Sequence, residues 1–391
     1  MLQYMFSLPT TIRFGVGAVK EAGVCAKSLG ATHVMIVADQ GVIRAGLTRD
    51  VETSLRDADI PYTYYDKIVP NPRDYHCVEG YETARAAGID CLVAVGGGSS
   101  MDTAKAIGTL LTHGGKVQDW CGADKLLRPI TPLIAIPTTA GTGAEVTPNA
   151  IVAVPEKQLK VGIVNTEMIA DYVILDADMI KKLPRKIAAA TGVDALAHAI
   201  ECWTSNKANP FSDTFSMQAL DMILNNIERA CDDSDAMDAK TQMQIASFYA
   251  GVAITASGTT AVHALSYVGG GLGAGAGSGG NHQSPDALLG AGGGVQQLLD
   301  TILVSHQYTG QFGSIHNTPA THGHDEVGAH SLALVYQFLR FLIRGLRWQI
   351  VQDHGVHAGL RHLGHRQIEQ ARAAELLELV GLSDRAKAYP S

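Results

Sequence analysis

The sequence predicts an α/β N-terminal domain built on a parallel, doubly wound sheet, followed by an all-α C-terminal domain. Three observations lead there. A chain of 391 residues exceeds what one hydrophobic core usually organises, so two domains are expected. The first half alternates short apolar runs with helical patterns, the signature of parallel strands joined by crossover helices. From about Leu183 the strand-like runs become scarce and helical patterns take over, which places a boundary near Pro184 and the domains at 1–184 and 185–391.

Taken in order, MLQYMFSLPTTIRFG has no basic segment followed by a long apolar stretch, so no secretory leader is expected. Gly15 and Gly17 form a lone GxG in an expected hairpin and carry no functional weight. THVMIVAD (32–39) reads as a buried strand ending on Asp39. CLVAVGGGSSMDTAKAIGTLL (91–111) reads as a strand, a glycine turn and a helix, and PLIAIPTTAGTGAEVT (132–147) as an apolar strand opening into a Gly/Thr loop. KLPRKIAAATGVDALAHAIECW and FSDTFSMQALDMILNNIERA are helical. Beyond Val268 the composition changes: ten of the fifteen histidines lie there, with no cysteine and a single lysine, Lys387. Segments 331–351 and 370–382 still carry apolar residues at helical spacing. The composition of this tail suits a divergent natural domain and equally a sequence of different origin, such as a shifted reading frame.

Bulk properties exclude several classes. A hydrophobic fraction of 46% fills real cores, yet no apolar window is long enough to span a bilayer. The six cysteines have no CxxC spacing, which suits reduced thiols in the cytoplasm better than a disulfide framework. A net charge of −8 without a basic run argues against nucleic acid as the main partner.

The chemistry begins at VAVGGGSSMDTAK. Glycines at a strand-to-helix junction let backbone approach a ligand, and the helix start offers N–H groups and a positive dipole end to a phosphate. Gly97 and Gly98 form that turn, Ser99 and Ser100 can donate hydroxyls, and Asp102 is expected to cap the helix. The GxGxxG fingerprint is absent, so this is not the usual Rossmann turn. Alone, the motif is most simply a tight turn without a ligand. Asp39, at the end of another strand, can accept hydrogen bonds from a ribose 2′-hydroxyl and would repel a 2′-phosphate. The PTTAGTGAE loop (137–145) adds hydroxyls and flexible glycines at a third strand end. Three such features on one sheet edge favour dinucleotide binding over turn chemistry.

The metal candidate is ATGVDALAHAIE (190–201). Asp194 and His198 are four residues apart and share a helix face, so they can bind one cation. A DxxxH pair by itself is usually coincidence. Small neighbours (Ala195, Ala197, Ala199) allow close packing around a site. His263 lies in a second small-residue helix, AVHALSY, where it would ordinarily be a satisfied core histidine. One carboxylate with two or three imidazoles suits Fe(II) or Zn(II).

With these residues assembled, residues 5 to 267 resemble the iron-containing (group III) alcohol dehydrogenase family. The motifs that carry the resemblance are GGGSSMDTAKA, PTTAGTGAEVT and the run from VILDADMIKKLP through AAATGVDALAHAIE. The resemblance implies an NAD(P)-binding α/β domain and a helical domain holding one divalent metal through an Asp and three His. It implies Asp194, His198 and His263 as ligands, and these are the catalytic candidates. It implies cofactor contacts at Asp39, Asn71, Gly97, Gly98, Ser99, Ser100, Asp102, Thr138, Thr139 and Thr142, with Lys160 near the cleft. A homodimer or larger homo-oligomer is the assembly it implies.

The sequence departs from the family pattern after AVHALSY. Counted forward without gaps, the last ligand position falls on Gly277, which has no side chain to coordinate. HQSPDALLG (282–290) resembles the family's segment after that ligand if about five residues are inserted, which makes His282 the fourth ligand. A second family histidine, implied in proton relay, falls on Gly279. The expected activity is NAD-dependent, metal-assisted hydride transfer between a small primary alcohol and its aldehyde, with Asp39 favouring NAD over NADP. Two alternatives stand beside it. One is a zinc-dependent polyol dehydrogenase of the same fold, and the other a catalytically impaired NAD-binding protein.

Overall fold

Short apolar runs become strands here, and the small-residue stretches between and after them become helices. In the computed structural model, residues 5–157 and 159–259 are described. In chain order they form β1 (Thr11–Phe14), α1 (Ala22–Ser28), β2 (Val34–Val37), α2 (Gln40–Arg44), α3 (Arg49–Asp57), β3 (Tyr62–Tyr65) and α4 (Asp74–Ala87). Next come β4 (Cys91–Gly96), α5 (Gly98–His113), β5 (Gly122–Ala123), β6 (Leu133–Pro137), β7 (Asn149–Val154), β8 (Leu159–Val164) and β9 (Tyr172–Leu175). Three long helices close the described chain: α6 (Arg185–Thr204), α7 (Pro210–Asp232) and α8 (Met237–Ser257). The helical segments expected at 331–351 and 370–382 lie outside the described residues.

Six strands make one all-parallel sheet in the order β1-β9-β6-β4-β2-β3. The central strands VMIV, CLVAVG and LIAIP are buried along their whole length. That is why they read as unbroken apolar runs: helices cover both faces of a parallel sheet. Alternate residues serve opposite cores. Met35, Val37, Leu92, Ala94, Leu133 and Ala135 meet Met101, Ile107 and Leu110 of α5 and Cys77 and Ala84 of α4. Val34, Ile36, Cys91, Val93, Ile134 and Ile136 meet Ala22 and Cys25 of α1 and Val51 and Leu55 of α3. Each fully buried aliphatic side chain contributes roughly 1.5–3 kcal/mol by leaving water, so this double-sided interior is what fixes the sheet. The predicted fold class is the one observed.

Two local expectations are corrected. The GVG at 15–17 is not in a hairpin: β1 runs parallel to β9, and the glycines lead into a 3₁₀ turn at Ala18–Glu21. A second, three-stranded sheet in the order β5-β8-β7 was not anticipated, with β7 and β8 antiparallel. NAIVAV and LKVGIV are ordinary β-rich runs, and nothing in their pattern distinguishes them from strands of the main sheet.

The helices α6, α7 and α8 pack on one another because small residues let them approach. A Cβ on Gly192 of α6 would lie 2.8 Å from Ile227 of α7 and 3.2 Å from Met243 of α8. Asn209 caps α7 by accepting from the N–H groups of Phe211 and Ser212, with Pro210 in the first turn where its missing N–H costs nothing. Among the described residues no helix is long and apolar enough to cross a membrane. The six cysteines are free thiols, and burial pushes Cys77, Cys91 and Cys202 well up, which suppresses their thiolates.

Candidate functional site

Register decides which loops meet. Gly96 lies opposite Pro137 in the β4–β6 pair, so the turn after β4 and the loop after β6 leave the sheet side by side. The Thr138 N–H donates to the Gly96 carbonyl at 2.9 Å, extending the ladder by one step. On the other side of β4, β2 brings Asp39 to the same edge. One carboxylate oxygen of Asp39 caps α2, accepting from Gly41 N–H at 2.7 Å and Val42 N–H at 3.0 Å. The other is 3.9 Å from where a Cβ on Gly96 would sit.

Glycine is needed along this turn for reasons of space. A Cβ on Gly96 would lie 2.2 Å from Ser100 Oγ, an impossible approach. On Gly97 it would meet Thr139 Oγ1 at 3.3 Å, and on Gly98 Thr142 Cγ2 at 3.0 Å. The turn and the threonine loop are therefore facing walls of one slot. Helix α5 starts in it with no side-chain cap, and while the Ser100 N–H turns back to the Gly97 carbonyl at 3.1 Å, the N–H groups of Gly98 and Ser99 precede the helix's own ladder. Ser100 Oγ is buried there without a hydrogen-bond partner. An orphaned hydroxyl, an uncapped helix start and a glycine cradle fit a phosphate-bearing cofactor.

Asp102 does not cap the helix, as the sequence had suggested. It stands inside α5, one turn beyond the N-cap Gly97, where the capping geometry is no longer available. Its carboxyl is enclosed: burial pushes it up, while Lys105, the Ile151 N–H and Lys160 pull it down. Lys160, on β8, donates from Nζ to Asn71 Oδ1 at 2.6 Å. Asn71 adopts the left-handed conformation (φ 56°), which asparagine tolerates better than most residues. Both residues are placed by the small sheet. Lys160 pairs with Ala153 across β7 and β8, and the Ala153 N–H donates to the Pro72 carbonyl at 2.7 Å. Burial lowers the Lys160 ammonium, against the pull of Asp102.

Two residues of this region escaped the sequence reading. Lys105 is 0% exposed, and its Nζ donates to the carbonyls of Ala144, Thr147 and Asn149 at 2.6, 2.6 and 2.9 Å. Glu145 is buried nearby and is pushed up to about 7 by desolvation, with Lys105 opposing. The signal for Lys105 was present: a lone lysine between Ala104 and Ala106, in the otherwise small and apolar run TAKAIGTLL that follows Asp102.

The second half of the site is α6. Asp194 is half-buried and His198 buried, and both lie on that helix. His198 Nδ1 is 3.3 Å from the carbonyl of Gly141, in the loop after β6. That loop is pressed against the helices by its glycines. A Cβ on Gly141 would lie 2.6 Å from the Thr191 carbonyl oxygen, and one on Gly143 would lie 2.6 Å from Gly251 Cα of α8. Among the described residues no group of three or more His, Cys, Asp or Glu side chains assembles to hold a metal. Asp194 and His198 offer an oxygen and a nitrogen donor, a pair whose chemistry fits a divalent cation. His263 and His282 lie outside the described residues, as do Gly277 and Gly279.

The architecture is a doubly wound parallel sheet joined through its glycine-rich switch loops to a helical layer. Its sequence matches the model of the iron-containing alcohol dehydrogenases over residues 9–177, and that of the C-terminal region of the same family over residues 188–274. The chain belongs to the iron-containing alcohol dehydrogenase family. It is 39% identical to choline dehydrogenase of Bacillus subtilis (strain 168) over 272 residues, 69% of this chain and 68% of that protein. It is 35% identical to the NAD-dependent methanol dehydrogenase of Bacillus methanolicus over 267 residues, 68% of this chain and 70% of that protein. The crystal structure of a 1,3-propanediol oxidoreductase superimposes with a TM-score of 0.71 at 28% identity, covering 96% of this chain and 94% of that one. The relatives are alcohol and diol dehydrogenases, and an oxidoreductase acting on alcohols is the class they define.

Proposed function

We propose that this protein transfers hydride between NAD(H) and a small primary alcohol or its aldehyde, with a divalent metal, Fe(II) or Zn(II), at Asp194 and His198. The observation that carries the reading is the meeting of Asp39, the 97–100 turn and Thr138, Thr139 and Thr142 at one sheet edge. When bound, the nicotinamide supplies the hydride acceptor or donor, and the metal supplies Lewis acidity toward the alcohol oxygen.

The rest falls to the chain's own residues. Gly97 and Gly98 let the chain's own backbone approach the cofactor, the start of α5 and the Ser100 hydroxyl receive phosphate oxygens, and Ser99 lines the same turn. Asp39 keeps one oxygen for its cap and turns the other to the ribose hydroxyls, where a 2′-phosphate would be repelled. Asp102, Asn71 and Lys160 form a linked polar group, Lys160 donating to Asn71 and acting on Asp102, that would orient the nicotinamide half. His198, with Nδ1 at the Gly141 carbonyl, would leave Nε2 as the nitrogen donor and hold the metal together with Asp194. His263, and His282 on the alignment with about five inserted residues, would complete the ligand set, and the proposed boundary between the two domains is near Pro184. Free thiols support a cytoplasmic location, and a homodimer is the assembly proposed.

The test is NADH oxidation with short aldehydes, in protein reconstituted with Fe(II) or Zn(II), beside NADH affinity measured by fluorescence. Turnover with primary aldehydes supports the reading. Preference for polyols with Zn(II) assigns the polyol reaction instead. One observation favours a second reading, a catalytically impaired NAD-binding protein: the family match ends at residue 274, before His282. Tight NADH binding without turnover at any metal loading identifies that case, and unchanged metal content in His282→Ala removes His282 from the ligand set.

A further inference from the structure

We propose that Lys105 is a positioning residue for cofactor binding, fastening the loop after β6 to the helix whose start faces the cofactor phosphates. The proposal rests on the dinucleotide reading above.

An ammonium group with no solvent exposure persists only where its donors are satisfied and its charge is balanced. Lys105 meets both conditions, and in a particular direction. Its three N–H donors reach three carbonyls, those of Ala144, Thr147 and Asn149, and all three belong to one stretch of chain. Asp102, one turn earlier on α5, and Glu145, in the loop itself, are the carboxyls that act on it. The ammonium is thus a three-point tie between α5 and the segment leading from the threonine loop into β7.

From the opposite side the loop is held by close packing, with His198 Nδ1 on the Gly141 carbonyl at 3.3 Å and Thr255 Oγ1 donating to the Val146 carbonyl at 3.1 Å. Gly141 sits on Thr191 and Gly143 on Gly251, at separations that exclude any side chain. Thr139 and Thr142 stand so close to Gly97 and Gly98 that a Cβ there would come within 3.3 and 3.0 Å of them, closer than ordinary contact. The width of the slot is therefore set by where the 138–149 segment rests, and Lys105 is the buried polar tie that fixes it from the α5 side. Burial lowers the Lys105 ammonium, while Asp102 and Glu145 support its charge.

The experiment titrates NADH by nicotinamide fluorescence into wild type, Lys105→Met and Lys105→Gln, well below the melting temperature of each. Methionine keeps the volume and offers no donor, whereas the glutamine amide can serve two carbonyls. We expect the NADH dissociation constant to rise by about tenfold in Lys105→Met and by about threefold in Lys105→Gln, because preorganisation of the slot is lost in that order. A purely structural lysine would lower the melting temperature and leave the dissociation constant of the folded variants at the wild-type value, which overturns the proposal. Should either variant fail to fold, amide hydrogen exchange on the wild type decides. NADH must slow exchange across 138–149, and unchanged exchange there overturns the proposal. Wild type that binds no NADH refutes the dinucleotide reading itself, and the proposal falls with it. Wild type that binds, with unaltered variants, refutes the proposal alone.

Discussion

The Nδ1 atom of His198, on α6, lies 3.3 Å from the carbonyl oxygen of Gly141, in the loop that leaves the central sheet after β6. With the proton on Nδ1, donation to that carbonyl leaves the lone pair on Nε2, the form in which imidazole ligates a cation. One backbone atom of the α/β layer thus orients a side chain of the helical layer. The contact depends on glycine, since a Cβ at 141 would lie 2.6 Å from both the carbonyl oxygen and the Cβ of Thr191.

Gly141→Ala should push the loop away from α6 and loosen His198 with it. We expect a loss of roughly 1–3 kcal/mol from overpacking against backbone, together with reduced retention of Fe or Zn. Thermal unfolding and metal content by mass spectrometry check the two halves. Destabilisation with full metal content would separate the carbonyl from any role in ligation.

Asp39 does two jobs, and two substitutions separate them. Asparagine keeps the capping oxygen but removes the charge, whereas alanine removes both. Asp39→Asn should stay within about 0.5 kcal/mol of wild type and Asp39→Ala should lose about 1 kcal/mol. Both should raise the NADP/NAD ratio of kcat/KM by about tenfold or more, since the repulsion of a 2′-phosphate is gone. Equal stability with unchanged cofactor preference would remove Asp39 from the ribose site.

Gly97→Val would fill the slot opposite Thr139 without backbone strain, because Gly97 has an ordinary extended conformation (φ −86°). NADH affinity should fall by about tenfold or more, while stability changes by only about 1 kcal/mol. Wild-type affinity in this variant would place the cofactor elsewhere.

Glu145 gives a pH signature. Burial raises its carboxyl from 4.5 to about 7, against the pull of its backbone hydrogen bond and of Lys105. Between those values the native state holds the proton more tightly than the unfolded chain does. Stability therefore falls as pH rises through that window. Glu145→Gln should flatten the slope, so that wild type loses roughly 2 kcal/mol relative to the variant between about pH 5 and about pH 7.5. Parallel denaturant titrations across that range measure it, and coincident slopes would contradict the assignment.

What the sequence determined was the set of parts. Unbroken apolar runs at 34–37, 91–96 and 133–137 dictated central parallel strands, because residues buried on both faces leave no polar alternation. Glycines and hydroxyls at their ends marked the switch edge, and the four-residue spacing of Asp194 and His198 put them on one helix face. Local rules sufficed there, since each signal lies within a single turn or strand. Only the tertiary structure decided that Lys105 spends its three donors on a loop about 40 residues away, as the separations of 39 to 44 positions record. The pairing of Lys160 with Asn71, 89 positions apart, likewise came from the small mixed sheet, which no pattern along the chain announced. The same holds for the glycines at 141 and 143. Read along the chain they are flexible loop residues, yet their missing side chains are what allow the loop to lie against α6 and α8. Contacts of that kind depend on which surfaces the folded layers bring within a few ångströms of each other, and no spacing along the chain encodes that distance.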